Sequence, residues 1–230
     1  MAVVPMAAKR SNRFVHEREL WSGGTQWVAG VDEAGCGPLA GPVVAAAVMF
    51  PAAWCEDGLH SGLRGLNDSK QLTGDQRDKF YDVLMAHPDV QRAISIVDVE
   101  MIDRINIRQA AWRGMNQALD QLVPRPQHVL VDGLKIKWLP YAQTALAQGD
   151  AKSYTIAAAS VLAKVTRDRL MKDYDAQFPG YGFADHKGYG TPQHYEAIKR
   201  LGPCPIHRRT FAPFRPVETE LSLFGDTTTG

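Results

Sequence analysis

A chain of 230 residues, 45% hydrophobic and 22% charged, is long enough to bury one large core, and its composition excludes a disordered or fibrous protein. No run of eighteen apolar residues is present, which excludes a membrane-spanning helix, and three cysteines without paired spacing give neither a disulfide framework nor a zinc site. The net charge of +1 conceals an asymmetry: residues 151–215 carry eleven Lys or Arg against five Asp or Glu, an excess that suits an anionic partner, although a solvated basic surface explains the charge alone equally well.

In chain order, residues 1–26 hold a short apolar patch followed by mixed charges, a poor signal peptide, and read as an N-terminal tail of a cytoplasmic protein. Apolar or alternating runs at 27–32, 42–50 and 92–99 predict three strands. Between the last two, a loop at 66–70 leads into a helix over 73–86. Apolar residues at helical spacing predict one long helix over 102–122, stopped by Pro124 and Pro126. Strands follow at 128–132 and 144–147, then a helix over 156–178 whose first turns are small and whose later turns are basic. Thr191 as N-cap with Pro192 behind it opens a last helix to Leu201, and residues 216–230 read as a flexible tail. The order predicts an α/β fold: a mixed sheet flanked by helices, with a helical C-terminal part.

The stretch VAGVDEAGCGPLAGP, residues 28–42, ends an apolar strand in two adjacent acids and then breaks into glycine and proline. Gly35, Gly37 and Ala40 fit a dinucleotide-binding spacing, but an apolar run rather than a helix follows, and Asp32 and Glu33 would repel a pyrophosphate. Asp132 and Asp150 also close apolar strands. A single Asp before Gly is ordinarily a turn or cap residue. Four acids at three strand ends are different: they are costly to desolvate unless a cation compensates them, and an oxygen-only set suits Mg2+ or Mn2+. Asp32 and Glu33, as strand neighbours, share a site only where the strand is ending. Two such cations activate water and stabilise the leaving oxygen in phosphodiester hydrolysis, with basic residues gripping the flanking phosphates.

The segments GVDEAGCGPLAGPV (30–43), LNDSK (66–70), VDG (131–133), AAASVLAKVTRDR (157–169) and FADHKGYGTPQH (183–194), with Gly149-Asp150 and the HRRTF segment at 207–211, resemble bacterial ribonuclease HII, the type 2 ribonuclease H. The resemblance covers residues 27–215 and implies a ribonuclease H-like catalytic domain there. It implies a Mg2+- or Mn2+-dependent endonuclease that cuts the RNA strand of RNA/DNA hybrids and nicks 5′ of a single ribonucleotide embedded in duplex DNA, leaving 3′-hydroxyl and 5′-phosphate ends. It carries the metal-binding and catalytic roles onto Asp32, Glu33, Asp132 and Asp150. It also carries substrate contacts onto the turn Gly35-Cys36-Gly37, whose backbone approaches the ribose, and onto Tyr189 at the RNA-to-DNA junction. Cys36 stands where the family has Arg or Lys, which puts a phosphate contact there in doubt; no His in the motif activates it as a nucleophile. Lys70, Lys152 and Lys187 are further phosphate-contact candidates, Asp168 is expected in a structural ion pair, and His186, His194 and His207 lack zinc-site spacing. Near the C-terminus ELSLF at 220–224 is similar to the peptide that docks on the bacterial sliding clamp, through Leu221, Leu223 and Phe224. The alternatives are a ribonuclease HIII-like hybrid nuclease, disfavoured by the short segment before the first strand and by the Glu-Ala-Gly-Cys-Gly turn, and a non-catalytic nucleic-acid binder. The expected assembly is a monomer.

Overall fold

The structure is a computed structural model and describes residues 13–214. Its centre is a five-stranded sheet of order β3-β2-β1-β4-β5, made of β1 (Val28–Ala34), β2 (Val43–Met49), β3 (Gln91–Val97), β4 (His128–Asp132) and β5 (Ala142–Leu146). The first three strands form an antiparallel meander; β4 and β5 run parallel to β1, so β1, β4 and β5 point their carboxyl ends the same way. Helices cover both faces, which explains why β2 reads VVAAAVM without a polar residue. Val44, Ala46 and Val48 pack beneath helix α6 (Tyr154–Gln177), and Ala45, Ala47 and Met49 pack beneath helix α5 (Ile107–Asp120) on the other face.

The helices are α1 (Val15–Ser22), α2 (Trp54–Asp57), α3 (Gly74–Ala86), α4 (Val99–Ile105), α5 (Ile107–Asp120), α6 (Tyr154–Gln177), α7 (Phe183–His186) and α8 (Pro192–Leu201). Among the described residues none is long and apolar enough to cross a membrane. The single helix expected over 102–122 is two. Asn106 adopts φ 69°, a left-handed conformation that Asn tolerates, and its side chain then accepts from the Gln109 amide to cap α5. The strand expected to stop at residue 32 continues to Ala34, with Glu33 opposite Ala45 of β2. Gly30 is required within it: a Cβ there would lie 2.3 Å from the backbone carbon of Thr155, so only glycine lets β1 meet the first turn of α6.

Within the stretch read as an N-terminal tail, residues 15–22 form α1, which docks on α6. Glu17 is buried, and its Oε1 accepts from Ser153 Oγ (2.6 Å), Thr155 Oγ1 (2.9 Å) and the Thr155 amide (3.1 Å). The carboxylate therefore sits on the N-terminus of the 24-residue α6, where unpaired amides and the helix dipole favour negative charge. Glu17→Ala is expected to lower stability by roughly 2–3 kcal/mol, because it removes the shared acceptor of two buried hydroxyls and an amide, which the Ser153–Thr155 hydroxyl contact at 3.0 Å replaces only in part, whereas Glu17→Gln keeps an acceptor and loses less. Thermal unfolding of the two variants checks this, and equal Tm values for Glu17→Ala and the wild type would refute it.

The C-terminal part folds back over α6. Met171, Tyr181, Phe183, Ala197, Cys204 and Ile206 enclose Ala40, and the backbone of the segment after β1 is tied to it by Leu39 N to Gly188 O (2.8 Å), Gly41 N to Ile206 O (2.9 Å) and Arg208 N to Leu39 O (2.9 Å). Thr191 caps α8 as its sequence predicts. His186 stacks on His194, whose Nε2 meets His207 Nε2 at 3.1 Å. Burial, then the neighbouring His194, pushes His207 down to about 4, so the pair is neutral: one ring donates and the other accepts. Those nitrogens are satisfied by each other and belong to the packing.

Candidate active site

The sheet topology brings three of the four predicted acids together at the carboxyl ends of the parallel strands. Asp32 lies on β1, Asp132 is the last residue of β4, and Asp150 sits in the 3-10 turn Gly149–Ala151 that leads into α6. One oxygen from each lies within 4.8 Å of the others. Asp132 is fixed by the chain that carries Asp150: its Oδ1 accepts from the Gly149 amide at 2.6 Å and from the Asp150 amide at 3.4 Å. Asp32 is 6% exposed and Asp150 5%. Burial, then the carboxylates of Glu33 and Asp132, raises Asp32 well above the ordinary range; burial, then Asp132, raises Asp150 to about 6. Without a cation the charged forms of Asp32 and Asp150 are costly to hold. An oxygen-only trio this close, with backbone and hydroxyl groups around it, fits a hard divalent cation.

Glu33 stands outside that trio. Because β1 continues past it, Glu33 points to the α5 face while Asp32 points to the α6 face beside Ser160. Burial raises the Glu33 carboxyl, and the Cys36 thiol, donating to Oε1 at 3.4 Å, opposes that shift. Burial, then Glu33, pushes the thiol up to about 12, so Cys36 is a protonated donor at neutral pH and no nucleophile. Its side chain packs with the apolar cluster of Val43, Val97, Ile102 and Ala110, an environment that suits a small thiol.

A cleft over the end of β1, reached from both faces, is lined by Asp32, Glu33, the turn Gly35-Cys36-Gly37, Lys70 and Tyr189. Tyr189 is 45% exposed, and its ring edge lies where a Cβ on Gly37 would touch it at 3.6 Å. Lys70 reaches Asp150 at 4.0 Å with its side chain 81% exposed. Neither Lys152 nor Lys187 lines this cleft. Lys152 donates to Ala147 O at 2.5 Å, and the Lys187 ammonium bonds Ala184 O, so each ammonium is held by a nearby carbonyl. Asp168 forms its expected helix ion pair with Lys164 at 2.7 Å. Leu221, Leu223 and Phe224 lie outside the described residues.

Sequence reasoning missed the lining residues Ser69, Ser160, Lys164 and Arg167 and the supporting Arg208. Ser69 and Ser160 share a 2.8 Å hydrogen bond beneath the cleft. Arg167 and Arg208 are 1% and 0% exposed, and among the described residues neither pairs with a carboxylate. Both guanidinium groups donate instead to backbone carbonyls of the segment 35–42, and Arg167 also to Lys187 O. Arg208 bonds Gly35, Cys36, Gly41 and Pro42, and Arg167 bonds Ala40 and Pro42. Gly35 is at φ +103°, and a Cβ there would lie 2.2 Å from Arg167 Nε. The turn is thus clamped through its carbonyls on the protein side, with Gly35, Cys36 and Gly37 lining the cleft on the other.

The family model described as Ribonuclease HII matches residues 29–214. A protein named Ribonuclease HII from Anaeromyxobacter sp. (strain Fw109-5) is 50% identical over 200 residues, covering 87% of this chain and 61% of that one. A second, from Ruminiclostridium cellulolyticum, is 50% identical over 195 residues, covering 85% of this chain and 73% of that one. The chain thus spans less than two thirds of the Anaeromyxobacter relative's length. Among solved structures, ribonuclease H2 from Pyrococcus horikoshii OT3 superposes with a TM-score of 0.67 at 31% identity, covering 82% of this chain and 95% of that one. Matched from the first strand to the last described residue, and half identical to such proteins over most of its length, the chain belongs to the ribonuclease HII family.

Proposed function

We propose that the chain is a divalent-metal-dependent endonuclease that cuts the RNA strand of RNA/DNA hybrids and nicks duplex DNA 5′ of an embedded ribonucleotide. The observation that carries this reading is the trio Asp32, Asp132 and Asp150, within 4.8 Å of one another, with Asp32 also lining a cleft that holds a glycine turn and an exposed tyrosine. A divalent cation held by these carboxylates would supply positive charge to the scissile phosphate and acidify water. Asp132, fixed by the Gly149 amide, and Asp32 beside Ser160 would hold it from two strands. Glu33, on the α5 side, orients the attacking water. That water forms a new P–O bond, the P–O3′ bond breaks, and the proton ends on the 3′-oxygen, which leaves a 3′-hydroxyl and a 5′-phosphate. Lys70 and Lys164 face the phosphates flanking the cut.

The 2′-hydroxyl is the group that separates RNA from DNA, and the clamped Gly35–Gly37 turn lets backbone come close enough to read it. Tyr189 packs on the sugar next to the cut. A duplex with one ribonucleotide, incubated with Mg2+ or Mn2+, tests the function: one nick on the 5′ side is expected, and no product with either ion would end the proposal. Tyr189→Ala is expected to lose roughly tenfold more activity on that duplex than on a long hybrid, since only the junction offers a deoxyribose against its ring. Equal losses on both substrates would remove Tyr189 from junction reading. The tail peptide with Leu221, Leu223 and Phe224 is proposed, on its sequence alone, to dock on the bacterial sliding clamp; binding to immobilised clamp that is lost in Leu223→Ala with Phe224→Ala is the expected result.

A further inference from the structure

On the α5 side of the acids, two adjoining hollows of about 350 and 470 Å3 share Ile107, Arg108 and Trp112. The first reaches Glu33, Asp132 and Leu134; the second opens between Trp112, Lys137 and Trp138. Trp138 is 85% exposed and Leu134 69%. The loop that presents them is anchored. Ile136, between them, is buried in the core, and Gln143 both accepts from its amide (2.8 Å) and donates to its carbonyl (2.9 Å). Trp138 itself is held at φ 57°, a conformation that a bulky residue rarely adopts. Apart from Glu33 and Asp132, the charged residues lining both hollows are cations, Arg108 and Lys137, with Lys137 Nζ 6.0 Å from the Trp138 ring.

A bare indole beside cations, on a loop anchored through Ile136 and continuous with the acids, matches a base with a free face and a phosphate attached. Bases of an intact duplex stack on one another and offer no such face; unpaired bases do. We infer that this basin binds unpaired nucleotides of a single-stranded extension contiguous with the duplex over the acids, their bases against Trp112 and Trp138 and their phosphates against Arg108 and Lys137. The inference rests on the proposed nuclease function, because the duplex must lie over the acids.

Initial rates on ribonucleotide-containing duplexes, blunt or carrying an unpaired tail on one side or the other, test it with the full chain. The wild type is expected to show a kcat/KM roughly tenfold higher for a tail on one side only, and Trp138→Ala to bring that ratio close to one. A DNA oligomer of about eight nucleotides is expected to quench tryptophan fluorescence in the wild type and much less in Trp138→Ala. No tail preference in the wild type, an unchanged ratio in Trp138→Ala, or equal losses on blunt and tailed duplexes overturns the basin while leaving the nuclease reading intact. If the wild type nicks neither duplex, the nuclease reading fails, and absence of Trp138-dependent quenching by the oligomer then overturns the basin as well.

Discussion

Asp32→Asn is expected to lower nicking of a ribonucleotide-containing duplex by at least ~10³-fold while leaving the fold intact or more stable. The two effects separate because the same charge is useful with a cation and costly without one. Asp32 is buried among like charges, and in cation-free buffer it is raised well above its ordinary 3.8, while Asp150 rises to about 6. In the unfolded chain both return to ordinary carboxylate values. Between those values the folded state binds more protons than the unfolded state. Stability therefore falls as pH rises through about 6, and the carboxylates are a burden at neutral pH. Replacing Asp32 by the neutral isostere removes part of that repulsion, so the Tm of Asp32→Asn in cation-free buffer should fall less steeply with pH than that of the wild type. Added Mn2+ should raise the wild-type Tm and barely move the variant's, since one ligand oxygen is gone. Nicking within tenfold of the wild type, or an undiminished Mn2+ shift, would show that Asp32 holds no cation.

The parts of this site that could be read from the sequence are those fixed by local rules. An apolar run that closes on an acid before glycine places Asp132 at a strand end, although only the set of four acids makes it a site residue, and Thr191-Pro192 opens α8 as its chemistry requires. The relation between Asp32 and Glu33 was not legible, because it depends on where β1 stops. Two further residues of pairing with β2 put the adjacent acids on opposite faces. Helix α1 was hidden for another reason: its eight residues are mostly polar, and what orders them is the contact of Glu17 with Ser153 and Thr155, more than 130 positions away. Lys152 and Lys187 looked equal to Lys70 in composition, yet only Lys70 projects over the acids. Arg167 and Arg208 sat within the motifs that carried the resemblance, but an arginine is ordinarily a surface residue, and nothing local says that its guanidinium will be buried among carbonyls.

Those arginines lead to the second large effect. Arg208→Met is expected to destabilise the chain by roughly 3–5 kcal/mol, a Tm drop of about 10 °C, and to abolish selective nicking. Arg208 donates to Gly41 O at 2.8 Å, Gly35 O at 2.6 Å and Cys36 O at 3.0 Å, all on the protein side of the segment after β1. Methionine fills the volume and leaves those three carbonyls without that donor, while Pro42 O keeps the Arg167 bond. Burial, then the neighbouring Arg167, holds Arg208 down to about 9, so the charge itself is held at a cost. What the pair supplies is geometry: a planar fork spans carbonyls from Gly35 to Pro42, which a single ammonium point cannot do. Arg208→Lys therefore separates structure from function. It keeps a buried cation and recovers part of the Tm, but it cannot hold both ends of the turn, so kcat/KM on the single-ribonucleotide duplex should still fall by ~10²-fold. Wild-type Tm and wild-type selectivity in Arg208→Met would show that the turn holds its shape unaided; full recovery of selectivity in Arg208→Lys would show that charge, and not the fork, is what the turn requires.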